Sequence, residues 1–130
     1  MAETLVTGIR GQAAVRVTEA NMADKMGNAG VKVFATPMLV ALMEQAAVDA
    51  LLPYLAPDEG SVGTRVDVSH LAATPEGMTV RAVAELVEIS GKRLTFTIEA
   101  FDDREKVGEG RHERYLVNMP KFLAKIAAKQ

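Results

Sequence analysis

The stretch from Phe34 to Leu52, FATPMLVALMEQAAVDALL, constrains the fold more than any other part of the sequence. Thr36-Pro37 marks its start, because a threonine side chain can accept a free N–H of the first helical turn and proline suits the first helical position. Pro53 marks its end. The pattern therefore predicts a long apolar helix from Pro37 to about Leu52, with Thr36 as its N-cap.

Segments of β character surround this helix in the sequence. Each is rich in Val, Ile and Thr, and most are separated by turn residues such as Pro75-Glu76-Gly77 and Ser90-Gly91. The predicted strands are Leu5 to Thr18, Ser61 to Thr74, Met78 to Ile89, Arg93 to Phe101 and Lys106 to Asn118. A short basic helix from Met119 through Lys129 follows. This order predicts an α+β architecture, in which an antiparallel sheet of about five strands is wrapped around one helix.

The segment from Glu19 to Val31 separates the first strand from the long helix. It contains Asn21, Gly27, Asn28 and Gly30, residues that are typical of turns and loops. We expect a mobile connection with a turn of helix, which could form a lid.

Composition excludes several classes of function. The 130 residues predict one domain, residues 1–130, and the formal net charge of −2 argues against nucleic acid as a partner. The chain has no cysteine, which excludes disulfides, thiolate metal sites and cysteine nucleophiles. No signal peptide or membrane-spanning run is predicted, so we expect a cytoplasmic protein. One sheet and one helix would leave apolar sheet surface open, which favours a dimer or a larger assembly.

Glu44 is the most informative single residue, because it lies in the middle of the apolar helix. Its helical neighbours at three and four residues are Val40, Ala41, Ala47 and Val48. An ionised carboxylate on an apolar face costs several kcal/mol unless it is paired or faces a cavity. Either it acts as a base or an electrostatic partner for a reacting group, or it is a structural carboxylate held by backbone donors or an arginine (Arg65, Arg81 or Arg114).

His70 ends an apolar row in the second predicted strand. Strict alternation puts Val62, Thr64, Val66 and Val68 on the same face as His70, and this face should be turned toward the helix. His70 could meet Glu44 there or across a dimer interface. Acid–base or nucleophilic hydrolysis fits this pair better than a metal site does, although a histidine at a strand end can also be purely structural. His112, in the charged motif GRHERY, is expected on a solvated strand surface.

Thr36 is the third candidate, because a capping residue can also take part in chemistry. A helix N-terminus offers positive potential and free N–H groups to an oxyanion. Thr36 and Glu44 are separated by about 12 Å along an ideal helix and by about 80° around it. A reacting group would therefore lie between them, or the three residues would meet across subunits.

Four motifs occur in an order that resembles a known family. These are VFATPMLVALMEQAA, LAPDEGSVGT, VSHLAATPEGMTV and GEGRHER, and together they resemble the hotdog-fold acyl-CoA thioesterases, most closely the fluoroacetyl-coenzyme A thioesterase group. The resemblance runs from Val33 to Lys125. It implies a long central helix wrapped by a curled antiparallel sheet, with the sheets of two subunits paired in a homodimer; whether that dimer pairs further into a tetramer stays open.

The resemblance also implies a set of site residues. The catalytic residues would be Thr36, Glu44 and His70, acting on the thioester of an acyl-CoA with no metal or cofactor. Gly63, Arg114 and Phe34 would contact the substrate. Which of Thr36 and Glu44 bonds to the carbonyl, or activates water, stays open. Cationic contacts to the phosphates of coenzyme A would come from residues that flank the motifs, namely Lys32, Arg65, Lys121 and Lys125.

The sequence departs from the resemblance before Val33. The fluoroacetyl enzyme has a phenylalanine-bearing lid there, whereas ADKMGNAGVK contains no aromatic residue. We therefore expect a thioesterase whose acyl group the sequence does not specify. Two other functions fit the same residues: a hotdog hydratase or dehydratase that acts on acyl thioesters, and a non-catalytic module that binds acyl-CoA or another small ligand.

Overall fold

The structure is a computed structural model that describes residues 4–130. A five-stranded antiparallel sheet curls around one long helix. In chain order, the elements are β1 (Arg10–Arg16), α1 (Thr36–Leu51), β2 (Glu59–His70), β3 (Thr79–Ser90), β4 (Arg93–Phe101), β5 (Lys106–Asn118) and α2 (Met119–Ala127). The predicted α+β architecture is confirmed.

The strand order in the sheet is β1-β3-β4-β5-β2. The β3–β4 and β4–β5 neighbours are hairpins, whereas β2 joins the far side of β5 after the helix. Within residues 4–130, β1 and β2 are therefore the two edge strands. Exposed residues fill the middle of β2, from Gly63 to Asp67, as expected for an edge strand.

Helix α1 lies across the concave face of the sheet and packs most closely against β1 and β3. Small residues allow this approach: a side chain on Gly11 of β1 would overlap the backbone of Ala46 and Ala50. The inner face of the helix meets apolar residues of β3 and β4 in a core that includes Leu39, Met43, Leu86, Phe96 and Ile98. Because α1 leans toward β1, its contact with β2 is slight.

Several predicted boundaries differ from the structure. The first strand was predicted from Leu5 to Thr18 but is limited to Arg10–Arg16, because the chain turns at Gly8, where φ is 97°. The connection after it forms two short 3₁₀ turns, Glu19–Asn21 and Ala23–Met26, each of which hydrogen-bonds to the segment before α1. The lid segment is therefore tied down by backbone bonds such as Ala23 N to Val33 O, 2.8 Å.

A β-bulge in β2 changes the predicted alternation. The register with β5 shifts between Gly63 and Arg65, so Thr64 is an extra residue. Beyond the bulge, Val66, Val68 and His70 face the helix as predicted. Before it, Gly63 rather than Val62 faces inward, because Gly63 pairs with Arg114, whose side chain lies under the helix.

Candidate active site

Thr36 and His70 form a hydroxyl–imidazole pair at the start of α1. The Thr36 Oγ1 atom lies 2.7 Å from Nδ1 of His70, the last residue of β2. The predicted N-cap role of Thr36 is wrong: Ala35 occupies the cap, Thr36 is the first helical residue, and no side chain caps the helix. The hydroxyl is turned toward the imidazole instead, so the pair joins the helix N-terminus to the end of β2.

The other ring nitrogen of His70 lacks a protein partner. Its Nε2 atom is buried, and within residues 4–130 no group hydrogen-bonds to it. Burial also lowers the pKa of His70 below 6.5, so the ring is neutral at neutral pH. A neutral ring can accept the Thr36 proton at Nδ1 only if Nε2 carries the hydrogen. In that tautomer, the Nε2 N–H is left available to a ligand or to another subunit.

A cavity of about 310 Å³ adjoins this pair. Thr36 and His70 line it together with Phe34 and apolar residues from the connection before α1. Phe34, predicted to contact the substrate, is almost fully buried (1% exposed), and its backbone N–H donates to Thr74 O over 2.9 Å. It therefore forms part of the wall of the cavity.

Glu44 projects from α1 toward β5 on the open side of the helix. Its side chain is 39% exposed, and Oε2 lies 3.4 Å from Arg114 Nη1 and 3.6 Å from His112 Nε2. It also lines a cleft of about 520 Å³ between the helix and β1, with Arg114 at its other side. A carboxylate with one long ion pair and an open cleft is available to a ligand.

Arg114 is fixed by the neighbouring strand. Its Nε donates to Ser61 Oγ over 2.9 Å, and its Nη2 donates to the Ser61 carbonyl over 3.0 Å. The side chain is almost fully buried, and burial lowers the pKa of its guanidinium while the nearby Glu44 carboxylate opposes that effect. Because a guanidinium stays protonated in proteins, Arg114 places a fixed positive charge beside Glu44.

His112 is a site residue that sequence reasoning missed. It was expected on a solvated surface, but its side chain is 1% exposed and lies under α1, with its ring centroid 6.5 Å from that of Phe96. Alternation along β5 provides the signal: Gly108, Gly110, His112 and Arg114 share one face, and the two glycines pass close to other atoms. Charge at Arg111, Glu113 and Arg114 had masked that pattern.

Gly63 leaves room for this cluster. A Cβ atom at position 63 would overlap the Glu44 carboxylate and would lie 3.1 Å from Cε1 of His112 and 3.3 Å from Nη1 of Arg114. The backbone of β2 can therefore approach the carboxylate only without a side chain. This observation supports the predicted placement of Gly63 at the site.

The candidate residues thus fall into two groups within one chain. Thr36, His70 and Phe34 meet at one cavity, and Glu44, Gly63 and Arg114 meet beside another. Glu44 and His70, for which we left open a contact within the chain or across a dimer interface, lie in different groups of the same chain. Any chemistry that needs all three proposed catalytic residues requires the two groups to be brought together.

The predicted phosphate contacts are scattered. Lys121 and Lys125 border a groove with Lys92 beside α2, whereas Arg65 lies on another surface with Asp67. In the part of the chain that the structure describes, no cluster of three or more His, Asp or Glu side chains could hold a metal. Across residues 4–130, no helix combines the length and apolar character needed to cross a bilayer.

The curled antiparallel sheet around one long helix defines a hotdog-fold protein. The profile of the family described as fluoroacetyl-CoA-specific thioesterase matches residues 17–120. This chain belongs to that family.

Individual relatives agree with this assignment. The fluoroacetyl-CoA thioesterase of Streptantibioticus cattleyicolor is 48% identical over 98 residues, which cover 75% of this chain and 70% of the relative. A solved structure of the fluoroacetyl-CoA thioesterase FlK has a TM-score of 0.91 and 38% identity, and the match covers 98% of this chain and 99% of FlK. A Thermus thermophilus thioesterase superfamily member has a TM-score of 0.85 and 27% identity over 96% of this chain and 93% of its own.

Proposed function

We propose that this protein hydrolyses acyl-CoA thioesters to a free acid and coenzyme A. The observation that carries the proposal is the 2.7 Å contact between Thr36 Oγ1 and His70 Nδ1 at the mouth of a cavity, with His70 Nε2 left without a partner in residues 4–130. Membership of a thioesterase family supports the choice of reaction over a hydratase or a binding module.

Hydrolysis of a thioester needs few catalytic groups. An oxygen nucleophile bonds to the acyl carbon, the carbon–sulfur bond breaks, and coenzyme A leaves as a thiolate that takes up a proton. Water supplies the second oxygen of the acid. Because a thiolate is a good leaving group, a hydroxyl, an imidazole, a carboxylate and a few aligned donors suffice.

We propose Thr36, His70 and Glu44 as the catalytic residues. His70 accepts the proton of the Thr36 hydroxyl through Nδ1, and the Glu44 carboxylate faces the same acyl carbon. We also propose three residues that contact the substrate, namely Gly63, Arg114 and Phe34. Gly63 has no side chain, so the thioester can approach the Glu44 carboxylate. Arg114 also holds that carboxylate in place, and Phe34 forms part of the wall of the acyl cavity. Because the two groups are separate within one chain, we propose that each site takes residues from two subunits.

The free edge of β2 supports such a composite site. In a homodimer whose β2 strands pair antiparallel about a twofold axis, the end of β2 that carries His70 runs beside the part of the partner subunit's β2 that carries Gly63. The Thr36–His70 pair then approaches the partner's Glu44, and His70 Nε2 gains a carboxylate within reach. The exposed, inward-facing Val66 would be covered by the same contact.

The named relatives guide the choice of acyl group. Because those relatives are fluoroacetyl-CoA thioesterases, we expect short acyl-CoA esters, fluoroacetyl-CoA among them, to be substrates. The segment from Ala23 to Lys32 contains no aromatic residue. We therefore expect a weaker preference for the fluorinated acyl group than an enzyme with an aromatic lid would have. The cytoplasmic location expected from the sequence stays a prediction.

The test is a panel of acyl-CoA esters, including fluoroacetyl-CoA and acetyl-CoA, monitored by release of free thiol. The wild-type protein should turn over at least one ester, and Thr36→Ala should lose most of that activity while Thr36→Ser, which keeps a hydroxyl, retains more. No turnover on any ester would contradict the proposal. Loss of enoyl-thioester absorbance without thiol release would indicate a hydratase, and thermal stabilisation by acyl-CoA without product would indicate a binding module.

A further inference from the structure

His112 is a buried titratable residue that the proposed reaction does not use. Its Nδ1 atom lies 2.8 Å from the Arg65 carbonyl oxygen, and its Nε2 atom lies 3.1 Å from Arg114 Nη1. The ring also packs beside Phe96. It therefore sits behind Arg114 and Glu44, and it joins two strands to the helix.

These contacts define the tautomer of the ring. A carbonyl oxygen can only accept, so Nδ1 must carry the hydrogen. Arg114 Nη1 can only donate, so Nε2 must present its lone pair. The neutral Nδ1–H tautomer is the form that satisfies both partners. A doubly protonated ring would turn an N–H toward the N–H groups of the arginine.

The surroundings favour the neutral ring. Burial lowers the pKa of His112 first, and the positive charge of Arg114 lowers it further. The Arg65 carbonyl, Glu44 on α1 and Glu113 on β5 oppose this shift, but the net direction is downward. His112 is thus an acceptor for Arg114 at neutral pH.

The lone pair on His112 Nε2 helps to set the orientation of the Arg114 guanidinium. Ser61 holds Nε and Nη2 of the guanidinium, while Nη1 is shared between His112 Nε2 at 3.1 Å and Glu44 Oε2 at 3.4 Å. Nη1 is the atom nearest the carboxylate. Because the guanidinium is planar, a third fixed contact at Nη1 sets its tilt relative to Glu44.

We propose that His112 is a positioning residue, which holds Arg114 through its Nε2 lone pair so that Arg114 orients the Glu44 carboxylate toward the thioester. The proposal rests on the proposed thioesterase function. If this role is correct, kcat depends on a hydrogen-bond acceptor for Arg114 at position 112. Without that acceptor Arg114 and Glu44 shift, and a small misplacement of a reacting group lowers the rate far more than it weakens binding.

Two amide substitutions separate this role from a structural one. Glutamine can place its amide oxygen near the Nε2 position and accept from Arg114, but it gives up the donor to the Arg65 carbonyl. Asparagine can place its amide nitrogen near the Nδ1 position and donate to that carbonyl, but it gives up the acceptor. His112→Asn and His112→Gln are therefore matched controls for each other.

We expect His112→Asn to lose about 10-fold or more in kcat with little change in KM. His112→Gln should stay within a few-fold of wild type in kcat even if its melting temperature falls. If asparagine supports wild-type kcat, or if both variants lose kcat equally, the positioning role is wrong and the histidine is structural. Melting temperatures measured alongside separate lost folding from lost rate.

A second measurement does not depend on activity. The ¹⁵N shifts of the His112 imidazole at pH 7 should show a protonated Nδ1 and an unprotonated Nε2. A protonated Nε2 would overturn the proposal even if both variants failed to fold. A wild-type protein that is inactive on every ester would contradict the proposed function, whereas the tautomer result would still test the contact with Arg114.

Discussion

The Thr36 hydroxyl lies 2.7 Å from Nδ1 of His70, and this contact links the first residue of α1 to the last residue of β2. A hydroxyl beside a neutral, half-buried imidazole is the arrangement needed to activate an oxygen nucleophile. In the same chain, Glu44 lies two turns further along the helix and faces other partners.

Replacement of the Glu44 carboxylate should remove activity but not the fold. Glu44→Gln keeps the shape and hydrogen-bonding capacity of the side chain but removes its charge, so we expect kcat to fall by about 10² to 10⁴-fold. The side chain is 39% exposed, so the melting temperature should change little. Thiol release measures the first effect and thermal denaturation the second. Glu76→Gln, the same change on an exposed turn, should behave as wild type.

A methyl group at position 63 should damage the site. In Gly63→Ala the new Cβ overlaps the Glu44 carboxylate, so the carboxylate must move and kcat should fall by about 10-fold or more. Gly60→Ala is the matched control on the same strand, because its Cβ meets only the flexible end of Met119. Equal activity in the two variants would show that the space beside Glu44 is not needed.

Acidification should destabilise the folded protein through its two histidines. Burial lowers the pKa of both His70 and His112 below 6.5. As the pH falls through 6.5, the unfolded chain takes up protons that the folded chain does not, so the free energy of unfolding decreases. Urea titrations at pH 7.5 and pH 5.5 measure this loss. His112→Gln should lose less between the two pH values than wild type does, and equal losses would contradict the lowered pKa of His112.

A charge on the free edge should separate the subunits. Val66 is 41% exposed and faces the helix side of β2, so Val66→Arg should disrupt pairing of β2 with a second β2 and should yield an inactive monomer. Val87→Arg is the matched control. It introduces the same charge at a residue of similar exposure (37%), but on β3, which has a neighbouring strand on each side and so no free edge. Sedimentation analysis measures the mass. A monomeric wild-type protein, or an active Val66→Arg monomer, would rule out the composite site.

Much of the fold could be predicted because its signals are local. Thr36-Pro37 and Pro53 delimit α1, and turn residues such as Gly91 delimit the strands, so the predicted helix and five strands are confirmed with shifted ends. The bulge at Thr64 could not be predicted, because it depends on pairing with β5, and it moved Val62 to the outer face. Alternation read without that pairing is correct only from Val66 onward.

The site was predictable in its residue types but not in its contacts. Glu44 stands out because a carboxylate interrupts an apolar helix, whereas His112 was hidden among the charged neighbours of β5. The predicted cap role of Thr36 fails because local sequence cannot reveal that His70, 34 residues away, is the partner of its hydroxyl. Long-range partners of this kind depend on the tertiary fold.

The central claim is that Thr36 and Glu44 act on one thioester from different subunits. Thr36→Ala and Glu44→Ala homodimers should each be nearly inactive, and their masses should confirm that both still dimerise. When the two are unfolded together and refolded in equal amounts, a composite site predicts that mixed dimers contain one intact site, which restores about a quarter of wild-type thiol release. Thiol release from the refolded mixture that stays at the level of the separate mutants would contradict the claim.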